Sequence, residues 1–146
     1  MKVLTRLDDS LDLPEEERLL LDAVRALCRD QIGPRAAAYD QSAEFPWDNI
    51  NAINELGLNG MFIPEDYGGA KMSYVAYLAT IREIAKSCAA TGLIWGTNFH
   101  AVKPVIDFAT HEQKTRLLPG IANGGLVSLC ITEPTAGSDA TGMKTR

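Results

Sequence analysis

The residues best suited to chemistry form one stretch, Leu129-Cys130-Ile131-Thr132-Glu133-Pro134-Thr135-Ala136-Gly137-Ser138-Asp139. An apolar, β-branched run leads into a threonine, a Glu-Pro turn and a Gly-Ser-Asp loop. Such a turn exposes backbone N–H groups and hydroxyls beside apolar side chains. That combination suits a planar heteroaromatic ligand with polar edges, because apolar walls carry a ring and a few polar groups orient it. A strand followed by an ordinary loop has the same composition, so these residues alone leave both readings open.

Other arrangements are weaker. His100 and His111 have no cysteine or acidic partner at metal-ligand spacing, and no metal site is expected. The chain has no Gly-x-x-x-x-Gly-Lys-Ser/Thr run and no strand–Gly-x-Gly-x-x-Gly–helix unit, the usual phosphate cradles. Ser138 lacks the second glycine of a nucleophile elbow.

The elements that must position the stretch are mostly helical. Pro14 and Glu15-Glu16-Glu17 open a first helix, with the glutamates read as a solvated helix start, and Leu20, Val24, Leu27, Cys28 and Ile32 form its apolar stripe. Gly33-Pro34 is expected to break or kink it, leaving a short second piece through Tyr39. Pro46-Trp47 opens a helix carrying Ile50, Ile53 and Leu56, closed by Gly57 as a left-handed cap. Ser73 caps the clearest helix, in which Tyr74, Tyr77, Leu78, Ile81, Ile84, Ala85 and Cys88 repeat at three and four, with Arg82, Glu83 and Lys86 on the other face. Residues 89–108 are apolar on most sides, which predicts a buried helix. Thr110-His111-Glu112-Gln113 fits a capping box and starts a short helix ending near Leu117-Leu118-Pro119-Gly120. Residues 126–132 then read as a buried strand. A terminal strand without a partner cannot satisfy its own backbone groups. Residues 1–125 are therefore read as a helical domain, and residues 126–146 as the opening of a β domain that the chain does not complete. Such a piece by itself is expected to associate or aggregate.

Length and composition agree with this. The 146 residues suit one ordinary domain, and 46% hydrophobic with 23% charged residues excludes disorder and low complexity. No apolar run approaches the roughly 20 residues of a membrane span. Lys and Arg number 14 against 19 Asp and Glu, for a net charge of −5 without a basic window, so no nucleic-acid partner is expected. The first nine residues lack the apolar core of a secretory signal. Cys28, Cys88 and Cys130 each lie in an apolar pattern, which predicts buried thiols in a reducing compartment and a cytoplasmic location.

Residues 132–139 resemble the flavin-binding signature of the acyl-CoA dehydrogenase family, Thr-Glu-Pro-x-Ala-Gly-Ser-Asp, with Thr135 at the variable position. Gly142-Met143-Lys144-Thr145 resembles its continuation. Upstream, residues 55–69 resemble the family's helix end and Pro-Glu-x-Tyr-Gly-Gly loop, and the likeness runs from about residue 13 to 146. The resemblance implies a mainly α fold: an N-terminal helical domain of the acyl-CoA dehydrogenase type, then the first strand or strands of a β-barrel-like middle domain.

It further implies FAD as cofactor, with Leu129, Ile131, Thr132, Gly137 and Ser138 on the flavin side. Ser138 would also meet the pantetheine arm of the substrate, and Ile94, Trp95 and Asn98 would line the acyl pocket. The reaction implied is oxidation of an acyl-CoA thioester to the 2,3-enoyl-CoA, by α-proton abstraction and β-hydride transfer to FAD, in fatty acid or amino acid catabolism. In the family the general base is a glutamate of the C-terminal domain, beyond residue 146. Glu133 is therefore not assigned that role, no catalytic residue is placed in this chain, and the chain alone is expected to be inactive. An electron-transfer flavoprotein is the implied electron acceptor and a homotetramer or dimer the implied assembly. Flavin monooxygenases and oxidases of the same fold, and a truncated non-catalytic helical interaction module, are the alternatives.

Overall fold

A computed structural model describes residues 12–145, and the first nine residues, read above for targeting signals, lie outside that range. The fold is mainly helical, as expected. Helix α1 (Glu15–Leu27) begins with three glutamates, which complement the helix dipole. It buries Leu21, Val24 and Leu27 at three-residue spacing. Of the break or kink expected at Gly33-Pro34, the break does not occur; the helix is instead irregular just before it. A π turn (Cys28–Ile32) runs directly into α2 (Gly33–Ser42), whose second residue is Pro34. The π turn lies immediately ahead of Pro34, where a regular α-helix would lose the proline's N–H bond and clash with its ring, so the widened turn lets the helix carry on.

Helix α3 (Trp47–Glu55) ends at Gly57, which takes the left-handed conformation at φ 74° as predicted. Helix α4 (Tyr74–Ser87) is capped by the Ser73 hydroxyl, which accepts the Ala76 N–H. Helix α5 (Ala89–Phe108) follows after Cys88, and α6 (His111–Ala122) starts with a full capping box between Thr110 and Gln113. It runs past Pro119 and Gly120 to Ala122, longer than the sequence suggested.

Helices α4 and α5 form the central pair, with α1 against α4 and α6 against α5. One core joins Val24, Ile32, Ile50, Ile53, Ile84 and Trp95, and a smaller cluster joins Ile63, Val102, Leu118 and Ile121. Between α3 and α4, the loop containing Pro64-Glu65-Asp66-Tyr67-Gly68-Gly69 folds back on itself. Met72 N–H bonds the Met61 carbonyl at 2.7 Å and Lys71 N–H bonds that of Ile63 at 3.1 Å. A Cβ on Gly69 would lie 1.9 Å from the Ile63 carbonyl oxygen, so the paired glycines are what let this loop close.

Several expectations need correction. Helix α5 is not buried all round: Leu93 is 68% and Phe108 86% exposed, because only one side of the helix packs against α4 and α6. Tyr74 and Leu78 on α4 are exposed as well. Glu17 is not solvated. It is buried, and its carboxylate accepts the Ser73 N–H at 2.6 Å and the Ser73 hydroxyl at 2.7 Å, tying α1 to the start of α4. Glu83 is buried too, between Arg82 and Lys86 at 2.9 Å each. Cys28 and Cys88 are buried, and burial pushes the Cys28 thiol above its ordinary value. Cys130 is exposed.

Residues 126–132 form no strand. A strand exists only through a ladder to a neighbour, and none is present among the described residues. No helix among them is long and apolar enough to cross a membrane.

Candidate functional site

Two features, one from the middle of the chain and one from the segment after α6, are linked through α5. The first is a cluster of rings. Phe62, from the loop after α3, lies 4.2 Å from Phe99 with the rings tilted and meets the edge of Tyr77 at 4.5 Å. Tyr77 lies 5.4 Å from Trp95 and donates its hydroxyl proton to the Gly96 carbonyl at 3.0 Å. Burial raises the Tyr77 pKa, so its phenol stays a neutral donor. Beside these rings, Leu58, Asn59, Trp95 and Asn98 help enclose a cavity of about 10 Å³, room for about one water. Asn59 is buried, and its side-chain nitrogen has no hydrogen-bond partner among the described residues.

The second feature is the segment after α6. Asn98 Oδ1 accepts the Val127 backbone N–H at 2.8 Å, so the middle of α5 fixes where this segment begins. Beyond it, Leu129 and Ile131 are 49% and 48% exposed, and Thr132, Gly137 and Ser138 are exposed. Among the described residues, the N–H groups of Leu129, Ile131 and Thr132 donate to no other backbone group. Glu133 and Ala136 exchange two backbone hydrogen bonds, at 2.9 and 3.2 Å, across the Pro134-Thr135 turn.

The sequence-predicted residues thus fall into two groups. Trp95 and Asn98 line the small cavity, whereas Ile94 does not line it and is half-buried against the core. Trp95 is also part of the larger core cluster. Leu129, Ile131, Thr132, Gly137 and Ser138 lie on the exposed segment, joined to the first group through Asn98 and Val127. Sequence reasoning missed Asn59, Phe62 and Tyr77 as neighbours of the cavity. The last two looked like ordinary apolar residues, and the buried Asn59 between Leu58 and Gly60 was the one signal available. No group of three or more His, Cys, Asp or Glu among the described residues could hold a metal ion. His111 instead pairs with the Tyr67 hydroxyl at 3.2 Å.

A flavin fits the donor set of the exposed segment. Two apolar side chains, backbone donors at Ile131 and Thr132 without a backbone partner among the described residues, and the Thr132 and Ser138 hydroxyls supply a ring surface with polar edges.

Similarity to known proteins identifies the family. The sequence profile of the family described as "Acyl-CoA dehydrogenase, N-terminal domain" matches residues 14–125. Probable acyl-CoA dehydrogenase YngJ of Bacillus subtilis is 35% identical over 139 residues, 94% of this chain and 37% of that protein. The 3-sulfinopropanoyl-CoA desulfinase of Paraburkholderia xenovorans is 36% identical over 136 residues, 92% of this chain and 35% of that protein. Among solved structures, a chain in that of the electron transferring flavoprotein of Acidaminococcus fermentans superposes with a TM-score of 0.85 at 27% identity, covering 92% of this chain and 36% of that one. The chain therefore spans little more than a third of the length of these relatives.

Proposed function

The chain belongs to the acyl-CoA dehydrogenase family, and from that premise we propose that it is the N-terminal part of an FAD-dependent enzyme that oxidises an acyl-CoA thioester to the 2,3-enoyl-CoA. Residues 126–146 would begin the β domain. The observation that carries the reading is the placement of residues 129–138. They present exposed apolar side chains and free backbone donors, and Asn98 ties their origin to the helix that walls the small cavity.

When bound, FAD supplies the hydride acceptor. Leu129 and Ile131 form an apolar surface that keeps water from the ring face. The N–H groups of Ile131 and Thr132, with the Thr132 hydroxyl, are donors for the ring's polar edge. Fixed donors there favour negative charge on the ring without reorganisation at the moment of reaction. Gly137 carries no side chain at the loop surface, and Ser138 beside it offers a hydroxyl to the pantetheine arm. Trp95 limits the depth of the acyl pocket, which favours short acyl groups, with Ile94 and Asn98 at its sides. The proton acceptor is not assigned to any residue of this chain. The resemblance implies a glutamate beyond residue 146.

The two relatives named above support the CoA-thioester class, since acyl-CoA or a substituted propanoyl-CoA stands in each of their names. An electron-transfer flavoprotein is proposed as the electron acceptor on the family resemblance of residues 132–139. A homo-oligomer in the cytoplasm completes the proposal. The test is an assay of the full-length protein on a series of straight-chain acyl-CoAs with a dye acceptor. A product two hydrogens lighter than its substrate is expected, with short chains preferred. No such product from any chain length would overturn the proposal.

A further inference from the structure

Glu133 stands within the flavin-like motif, yet the proposed chemistry makes no use of it. Both of its carboxylate oxygens are engaged inside the chain. Oε2 accepts the Lys144 N–H at 2.9 Å, and Oε1 accepts the Thr145 N–H at 2.9 Å. Oε1 also accepts the Thr145 hydroxyl. That hydroxyl, followed by the two backbone donors, holds the Glu133 carboxyl below its ordinary range. Inside the loop, Asp139 accepts the Thr141 hydroxyl at 2.6 Å, and its carbonyl accepts the Gly142 N–H at 3.1 Å. Residues 133–145 are therefore a ring of chain whose two ends are fastened by one side chain. Thr132 immediately precedes the fastening, and Gly137 and Ser138 lie on the ring.

We infer that Glu133 is a positioning residue: its carboxylate clasps the backbone at Lys144 and Thr145 and so fixes Thr132, Gly137 and Ser138 for the flavin. This rests on the flavin reading proposed above. The chemistry requires a carboxylate. Two acceptor oxygens face two N–H donors and a hydroxyl, and an ionised acceptor bonds about twice as strongly as a neutral one. Glutamine offers a single oxygen, and its NH₂ group would face an N–H donor.

The test compares Glu133→Ala, Glu133→Gln and Thr145→Val with wild type in the full-length protein. The readouts are hydrogen exchange of the Lys144 and Thr145 amides and the dissociation constant for FAD. For Glu133→Ala, both amides should exchange about tenfold faster or more, and FAD binding should weaken by about tenfold, the loss of a charge-assisted hydrogen bond. Glu133→Gln should fall between that variant and wild type. Thr145→Val removes one hydroxyl and keeps the backbone, so it should produce a smaller shift in the same direction even if Glu133→Ala fails to fold. Unchanged exchange in the Glu133 variants that fold and in Thr145→Val would overturn the inference. So would faster exchange with unchanged FAD affinity. A wild type that binds no FAD, while its amides still respond to the substitutions, would instead overturn the flavin reading and the role built on it.

Discussion

The Asn98 side-chain oxygen accepts the backbone N–H of Val127 at 2.8 Å, across 29 residues of sequence. One buried amide thus couples the wall of the small cavity to the start of the segment that follows α6. Asn98→Leu keeps the bulk and removes the acceptor. It should lower stability by about 1–2 kcal/mol in urea denaturation and weaken FAD binding, whereas a surface substitution such as Lys114→Gln should do neither.

Helices α4 and α5 approach closely at Gly92. A Cβ there would lie 2.8 Å from both Ala85 Cα and Ala85 Cβ and 2.9 Å from the Ala85 nitrogen. Backbone cannot swing aside as a flexible side chain can. Gly92→Ala should therefore cost about 1–3 kcal/mol despite alanine's better helix propensity, read as a lower midpoint of thermal unfolding.

Glu83 gives the fold a dependence on acidity. Its burial raises the carboxyl pKa, but the Lys86 hydrogen bond and the charges of Lys86, Arg82 and Arg25 outweigh that, and the net shift is downward from 4.5. A carboxyl depressed in the folded state stabilises fully above its unfolded pKa and loses that contribution as pH falls through the folded one. Unfolding temperature should drop as pH is lowered from 6 toward about 3. Glu83→Gln should be less stable at pH 6 and show a flatter profile over the same range.

Trp95 is packed against Tyr77 and borders a cavity of about 10 Å³. Trp95→Ala should cost about 3–5 kcal/mol as a core truncation. In the full-length protein, Trp95→Leu is the milder change and should move the preferred acyl chain toward greater length. Chain-length profiles of kcat/KM check this, and an unchanged optimum would remove Trp95 from the pocket.

Local signals made much of this fold legible in the sequence. The Ser73 cap, the Thr110 and Gln113 capping box and the left-handed Gly57 are each determined by a few neighbouring residues, and each stands where expected. What failed depended on contacts between distant segments. Glu17 belongs to a run of glutamates that looks solvated, and only the arrival of Ser73, 56 residues on, gives it a buried partner. The apolar composition of α5 reports what its residues are, but not which side meets a neighbour. Leu93 and Phe108 therefore came out exposed. Residues 126–132 have strand-forming side chains without a ladder among the described residues. For the proposed site, the motif at residues 132–139 was the only signal in the sequence. Its link through Asn98 and its closure by Glu133 on Lys144 and Thr145 needed three-dimensional structure.

The central claim is that this chain contributes one side of a flavin site acting on acyl-CoA. Its most direct test is the visible spectrum of the purified full-length protein, before and after anaerobic addition of a short-chain acyl-CoA. The account predicts bound-flavin absorption that bleaches on addition of the thioester. A colourless protein that takes up no FAD, or a flavin band unchanged by acyl-CoAs of every chain length, would contradict it.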